Sequence, residues 1–476
     1  MAAYNIADFG AKPDGRTDSA KPFLSAWAAA CGSNSPATII VPTGRFLLSQ
    51  ALFQGPCKNS NIRIFISGTI VAPSGYGSNT AWIAFNYVHG LSIFGGTLDG
   101  QGQSFWACKL AGRSCPNGAT ALSIAESKNI LISGLTLMNS EVFHITIFGS
   151  SGVTIQGAKI TAPENSPNTD GIHIQKSSSV TISGSSIKTG DDCISMGEGA
   201  TDVWIENIII GSLGGTPQED GVQNITVKSV VFTGTQNGVR IKTWGKPYTG
   251  FVKGVRFQQV IMQNVQNPIV IDQNYCPDNK NCPGQSSGVK ISQVTYSNIH
   301  GSSATQVAVK FDCSPSNPCS GIVLQNINLN YLNNQAQSYC VQNITVKSVV
   351  FTGTQNGVRI KTWGKPYTGF VKGVRFQQVI MQNVQNPIVI DQNYCPDNKN
   401  CPGQSSGVKI SQVTYSNIHG SSATQVAVKF DCSPSNPCSG IVLQNINLNY
   451  LNNQAQSYCK NAHGSTSGSV IPPSCL

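Results

Sequence analysis

Charge is scarce in this chain. Asp, Glu, Lys and Arg make up 11% of 476 residues, so any local cluster of carboxylates stands out from its background. Long apolar runs are missing: none reaches the roughly 18 residues a helical bilayer span needs, which excludes such a span and leaves no membrane partner expected. Helix-period stripes are missing too, apart from Ala20 to Ala30, which ends near Cys31 and would suit a cap over an open β end. The six histidines do not cluster near the cysteines, whose intervals are not C-x2-C, and this weighs against zinc. Met1-Ala2-Ala3-Tyr4 has neither a basic nor an apolar leader region, so the signal peptide of a secreted chain would lie outside this sequence.

What is present suits many short strands joined by turns: 48 Gly, 39% hydrophobic residues, and plentiful Asn, Ser, Thr, Val and Ile. Sixteen cysteines, several in short loops such as Cys276-x5-Cys282 and Cys313-x5-Cys319, point to disulfides and an oxidising compartment. The formal charge of +10 would fit an acidic polymer as partner, but much of it comes from duplication. Val222 to Cys340 recurs unchanged as Val341 to Cys459, a tandem copy of 119 residues carrying a net +6, so one copy fewer would leave +4. Perfect identity marks either a very recent duplication or an error of gene assembly.

A finer repeat runs beneath. Strand-like triplets begin at Ile130, Val153, Val180, Val203 and Ile225, at intervals of 23, 27, 23 and 22. Coils of this length with two or three short strands each point to an all-β parallel β-helix, with a β-sandwich or a propeller as alternatives. Later coils lengthen, since Val255, Val289 and Ile322 are 34 and 33 apart. The whole chain, 1–476, reads as one such domain, with 222–340 and 341–459 as identical sets of its C-terminal coils. Coils would stack at about 4.8 Å, so residues one coil apart in sequence become neighbours in space.

The stretch Asn168-Thr169-Asp170, followed by Gly190-Asp191-Asp192, places three carboxylates on adjacent coils. Alternation turns Ile172 and Ile174 inward and His173 outward. By the same logic Val239 and Ile241 face in, and Arg240 and Lys242 share the outer face about two coils on. Crowded carboxylates should raise the pKa of one member, as glycosidic hydrolysis needs: one group protonates the leaving oxygen while another activates water. Arg240 and Lys242 would meet carboxylates on an acidic sugar. Two other readings stay open: the aspartates cap turns, with Asn168 closing an Asx-turn, or they form a calcium site.

In order and spacing, Asn168-Thr169-Asp170, Gly190-Asp191-Asp192 and Arg240-Ile241-Lys242 resemble the polygalacturonases of glycoside hydrolase family 28, plant secreted type. Tyr4 to Ala11, Val270 to Pro277 and Val309 to Cys313 add to the match. The resemblance implies a right-handed parallel β-helix, pectin lyase-like, hydrolysing α-1,4 bonds of polygalacturonate with inversion. By position, Asp191 would be the general acid, and Asp170 and Asp192 would hold and deprotonate the water. Asn168 would support that geometry, Arg240 and Lys242 would bind the galacturonate carboxylate, and Tyr275 would line a neighbouring subsite. No metal, cofactor or nucleic acid is expected. The protein should be a secreted monomer whose partner is pectin.

The chain departs from the family in one place. The family's Gly-His-Gly motif should fall where Trp204 to Gly214 runs through three isoleucines, and its histidine is deleted. Reduced turnover is expected, with a non-catalytic pectin-binding protein as the alternative and a related rhamnogalacturonan hydrolase or pectate lyase as a third. Family pairing implies disulfides Cys31–Cys57, Cys108–Cys115, Cys276–Cys282, Cys313–Cys319 and Cys459–Cys475, with Cys395–Cys401 and Cys432–Cys438 from the second copy, leaving Cys193 and Cys340 over. Arg359 and Lys361 repeat the cationic pair without the aspartates, on the order of 20 Å from them. They are read as non-catalytic bystanders, with extension of a pectin groove as the alternative. The seam Tyr339-Cys340-Val341-Gln342 is a candidate misfit. Asn224-Ile225-Thr226 and Asn343-Ile344-Thr345 match glycosylation sequons, or arise by chance in an Asn- and Thr-rich repeat.

Overall fold

The computed structural model describes the chain except residues 1, 76–80, 206–216, 277–285, 306, 315, 332–333, 336, 340–343, 365, 367–368, 395–404 and 452. Most of the seam, one cysteine of the expected Cys276–Cys282 pair, both of Cys395–Cys401, Asn343 of the second sequon and nearly all of the Gly-His-Gly region therefore lie outside the described residues. The described chain is almost entirely parallel sheet, wound as a right-handed β-helix, and falls into two compact units.

The first unit holds residues 1–213 and 219–227. The triplets seen in the sequence become its rungs: Ile130, Val153, Val180, Val203 and Ile225 stand in register, as do Ile132, Ile155, Ile182, Ile205 and Val227. All ten are buried. Period-two alternation thus builds continuous aliphatic stacks, each side chain contributing roughly 1.5–3 kcal/mol. A six-stranded parallel sheet on another face runs from Ala51–Gln54 through Ile145–Phe148 and Ile172–Gln175 to Ile194–Met196, and this sheet positions the acidic residues.

The helix expected over Ala20 to Ala30 spans Ala20–Gly32. Its Trp27 packs edge-on against Phe53 and Phe85, closing the N-terminal end of the aliphatic stack. A second helix, Gln103–Leu110, was not foreseen; it has only eight residues, and Phe105 and Trp106 are buried. Among the described residues no helix is long and apolar enough to cross a membrane.

The second unit holds residues 214–218 and 228–476. Longer strands, Gly250–Val265, Val289–Ser303 and Ser320–Tyr331, stack in parallel and account for the lengthened coils. Ser320–Tyr331 pairs onward with Ile344–Thr352, so the stack runs from the first copy into the second on this face. Each copy contributes its own four-stranded sheet, Asn237–Trp244 to Gln337–Tyr339 and Asn356–Trp363 to Gln456–Lys460. Phe257, Tyr296 and Phe311 stack inside the first copy, and Phe376, Tyr415 and Phe430 inside the second.

Disulfides join Cys31–Cys57, Cys108–Cys115, Cys313–Cys319, Cys432–Cys438 and Cys459–Cys475, as the family pairing implied. Among the described residues Cys193 is the free thiol.

Candidate active site

Asp170 and Asp192 sit at corresponding points of successive coils. The Gly171 amide donates to the Asp192 carbonyl at 3.0 Å, and the Gly190 amide donates to Thr169 Oγ1 at 3.0 Å. Both glycines are forced by close approach. A Cβ on Gly171 would run into the Cys193 carbonyl, and one on Gly190 into the Ser166 carbonyl, so each aspartate needs a glycine beside it to let the coils meet. Asn168, just before them, adopts φ +55°, a left-handed conformation that Asn tolerates.

The open stripe of carboxylates expected from alternation is only partly realised. Asp191 is exposed, whereas Asp170 and Asp192 are 6% and 8% exposed. Asp170 has a polar partner for its carboxylate. Ser195 Oγ donates to Asp170 Oδ2 at 2.5 Å and accepts from His173 Nδ1 at 2.8 Å. The Asp192 amide donates to Asp191 Oδ1 at 2.9 Å. His173 is half-buried, faces outward as expected, and stacks on Phe143 with centroids 5.1 Å apart. Burial lowers its pKa, opposed by its contact with Gln175 and by the charge of Asp192.

Two residues that alternation did not single out complete the site. His144 is fully buried, and burial holds its pKa down at about 4. A backbone N–H can only donate, so the Ser140 amide at 3.4 Å makes Nε2 the acceptor; Nδ1–H then donates to the Asp170 carbonyl at 3.0 Å. His144 therefore fixes the backbone of Asp170 while Ser195 fixes its carboxylate. The coil interval offered a signal for Ser195, which stands 22 residues after His173 and directly beside it in register. Cys193 lies on the same coil. Burial, then the charges of Asp192 and Asp170, push its thiol up to about 12, which disfavours a thiolate.

The cationic residues form a separate cluster in the second unit. Val239 and Ile241 are buried, leaving Arg240 and Lys242 outward as alternation requires. Arg240 Nη2 is 3.5 Å from Asp272 Oδ2. Its guanidinium carbon lies 5.1 Å from the centre of the Tyr275 ring, and Lys242 Nζ lies 4.9 Å from the same ring. Tyr275 is thus a platform beneath both cations. Asp272 was not among the expected site residues.

Carboxylates set on successive coils of a parallel β-helix are an arrangement that hydrolysis of a glycosidic bond can use. A family model described as glycosyl hydrolases family 28 matches residues 31–340 and 333–470. The chain belongs to that family. It is 56% identical over 349 residues to a polygalacturonase of Prunus persica, covering 71% of this chain and 89% of that protein. A polygalacturonase structure from Erwinia carotovora ssp. carotovora matches with TM-score 0.56 and 25% identity, over 70% of this chain and 94% of that one. An endo-xylogalacturonan hydrolase from Aspergillus tubingensis matches with TM-score 0.64 and 24% identity, over 72% and 96%, a likeness of fold alone. The family and fold expected from the sequence are both borne out.

Proposed function

We infer that this protein hydrolyses α-1,4-galacturonosidic bonds of polygalacturonate with inversion at the anomeric carbon. Asp191, the exposed member, protonates the leaving oxygen. Asp170 and Asp192 hold and deprotonate the attacking water, with Asn168 supporting their geometry. Arg240 and Lys242 take the carboxylate of a galacturonate unit, and Tyr275 lines a neighbouring subsite. The reading rests chiefly on Asp170 and Asp192 meeting on successive coils, with Ser195 holding the first, in a chain 56% identical to a polygalacturonase.

Turnover is lowered by loss of the family's Gly-His-Gly histidine, an acid-tuning or substrate-binding group. The protein works outside the cell as a monomer on pectin, in keeping with its five described disulfides. Release of reducing ends from polygalacturonate, followed with a proton spectrum of the newly formed anomer, tests the assignment. Slow hydrolysis that gives the β-anomer first and vanishes in Asp191→Asn is expected. Activity that survives in Asp191→Asn rules out the role given to that residue.

A further inference from the structure

The second copy rebuilds the cationic cluster as a complete surface. Arg359 Nη2 lies 2.7 Å from Asp391 Oδ2, and the Arg359 guanidinium carbon is 5.1 Å from the centre of the Tyr394 ring. Lys361 Nζ is 4.2 Å from that ring. Asn393 Nδ2 donates to Asp431 Oδ1 at 2.9 Å, as Asn274 does to Asp312 at 2.7 Å in the first copy. Asn386–Tyr394 has the same alternation of buried and open positions as Asn267–Tyr275. Behind each surface a fully buried glutamine, Gln273 or Gln392, accepts from the amide that follows a disulfide cysteine, Ser314 or Ser433. The platform is therefore braced from within in both copies.

We propose that Arg359, Lys361 and Tyr394 form a second uronate-binding site, one that holds an acidic sugar polymer without cleaving it. The ligand class follows from the groups on this face. Two cations flank one aromatic ring, matching a carboxylate carried on a sugar whose apolar face meets the ring edge. Asp391 and Asp431, one rung apart, add carboxylate oxygens that accept from sugar hydroxyls. Arg359 is also one acceptor short: its Nε is buried without a partner, and Arg240 Nε repeats this in the first copy. An unpaired buried donor of that kind is unfavourable, and a bound carboxylate drawing the guanidinium outward would relieve it. Hydrolysis is not expected here, because the second copy contains no equivalent of Asp170, Asp191 or Asp192. The sequence made Arg359 and Lys361 bystanders; the intact platform beneath them assigns them a ligand. Tethering the polymer at a second point raises its effective concentration at the first, so long chains gain more than short ones.

This site rests on the uronate reading of Arg240 and Lys242, and the test separates the two. Calorimetric titration of the full chain carrying Asp191→Asn with trigalacturonate should give two molecules bound per chain. Arg359→Gln with Lys361→Gln should reduce this to one, Arg240→Gln with Lys242→Gln likewise, and all four changes together to none. Lys361→Gln alone, which leaves the Arg359–Asp391 pair in place, should weaken one of the two events at least fivefold and guards against misfolding of the double variant. The fully methyl-esterified trimer should bind at neither site. One molecule per chain, lost with Arg240 and Lys242 and unaffected by Arg359 and Lys361, overturns the second site and leaves the first intact. Binding indifferent to both pairs, or equal binding of the methyl ester, overturns both.

Discussion

Ser195 Oγ donates to Asp170 Oδ2 at 2.5 Å across one coil, and the same hydroxyl accepts from His173 Nδ1 at 2.8 Å. The carboxylate proposed to orient water is thereby held by a donor whose own direction is set by an imidazole. Hydrogen bonds to charged groups contribute about 1.5–3 kcal/mol. Ser195→Ala should therefore lower kcat by roughly ten- to a hundredfold, with KM for polygalacturonate little changed. Ser195→Thr keeps the hydroxyl and should recover most of the loss. Equal kcat for wild type and Ser195→Ala would leave Asp170 without need of this support.

The buried His144 makes stability depend on pH in a calculable direction. Its unfolded imidazole titrates near 6.5 and its folded one at about 4, so between these values the unfolded chain holds the extra proton. The contribution to folding is full above about pH 6.5 and is lost as pH falls through this window towards 4. Its size is of order 3 kcal/mol. His173, also lowered by burial, acts in the same direction. The thermal midpoint should fall on acidification from pH 6.5 to 4.5, and less steeply in His144→Gln, whatever that variant loses at neutral pH. Parallel curves for the two proteins would assign the acid sensitivity elsewhere.

Much of this was legible because a coil converts sequence spacing into spatial adjacency. The triplets starting at Ile130, Val153, Val180, Val203 and Ile225 already announced the rungs, and the structure places those residues in register. The outward positions of His173, Arg240 and Lys242 followed from the inward isoleucines and valines beside them. What escaped notice was set by burial and turn geometry, which alternation does not encode. His144 stands where the chain enters a strand, Ile145–Phe148, and is buried by the coil that carries Asp170. Asp170 is held by Ser195 of the neighbouring coil, and Gln103–Leu110 is too short for helical periodicity to show.

Arg240 and Lys242 share one aromatic platform, so their charges should act together on substrate binding. Arg240→Gln leaves Asp272 without its 3.5 Å ion-pair partner and adds a repulsive carboxylate to the surface that should take an acid. KM for polygalacturonate should rise at least tenfold in Arg240→Gln, and less in Lys242→Gln. The penalty should shrink as the substrate is methyl-esterified, because the esterified unit no longer offers a charge. A penalty independent of esterification would mean that these residues support the fold and not substrate recognition.

Turnover should depend on the histidine that the family's Gly-His-Gly motif would supply. General acid–base groups contribute typically 10²–10⁴-fold to rate, and the family's Gly-His-Gly histidine has no counterpart among Trp204 to Gly214. His173, whose Nδ1 is engaged by Ser195, already belongs to the coil pattern beside Asp170. Replacing the segment between Ile205 and Val222 with one that carries Gly-His-Gly should restore a donor and raise kcat by about a hundredfold, with Asp191→Asn abolishing the gain. The same graft carrying alanine for the histidine separates recovered chemistry from recovered loop length. Should the alanine graft match the histidine graft, the deficit lies in the shortened segment; should the ungrafted chain already equal both, there is no deficit, and Asp170, Asp191 and Asp192 suffice without the histidine.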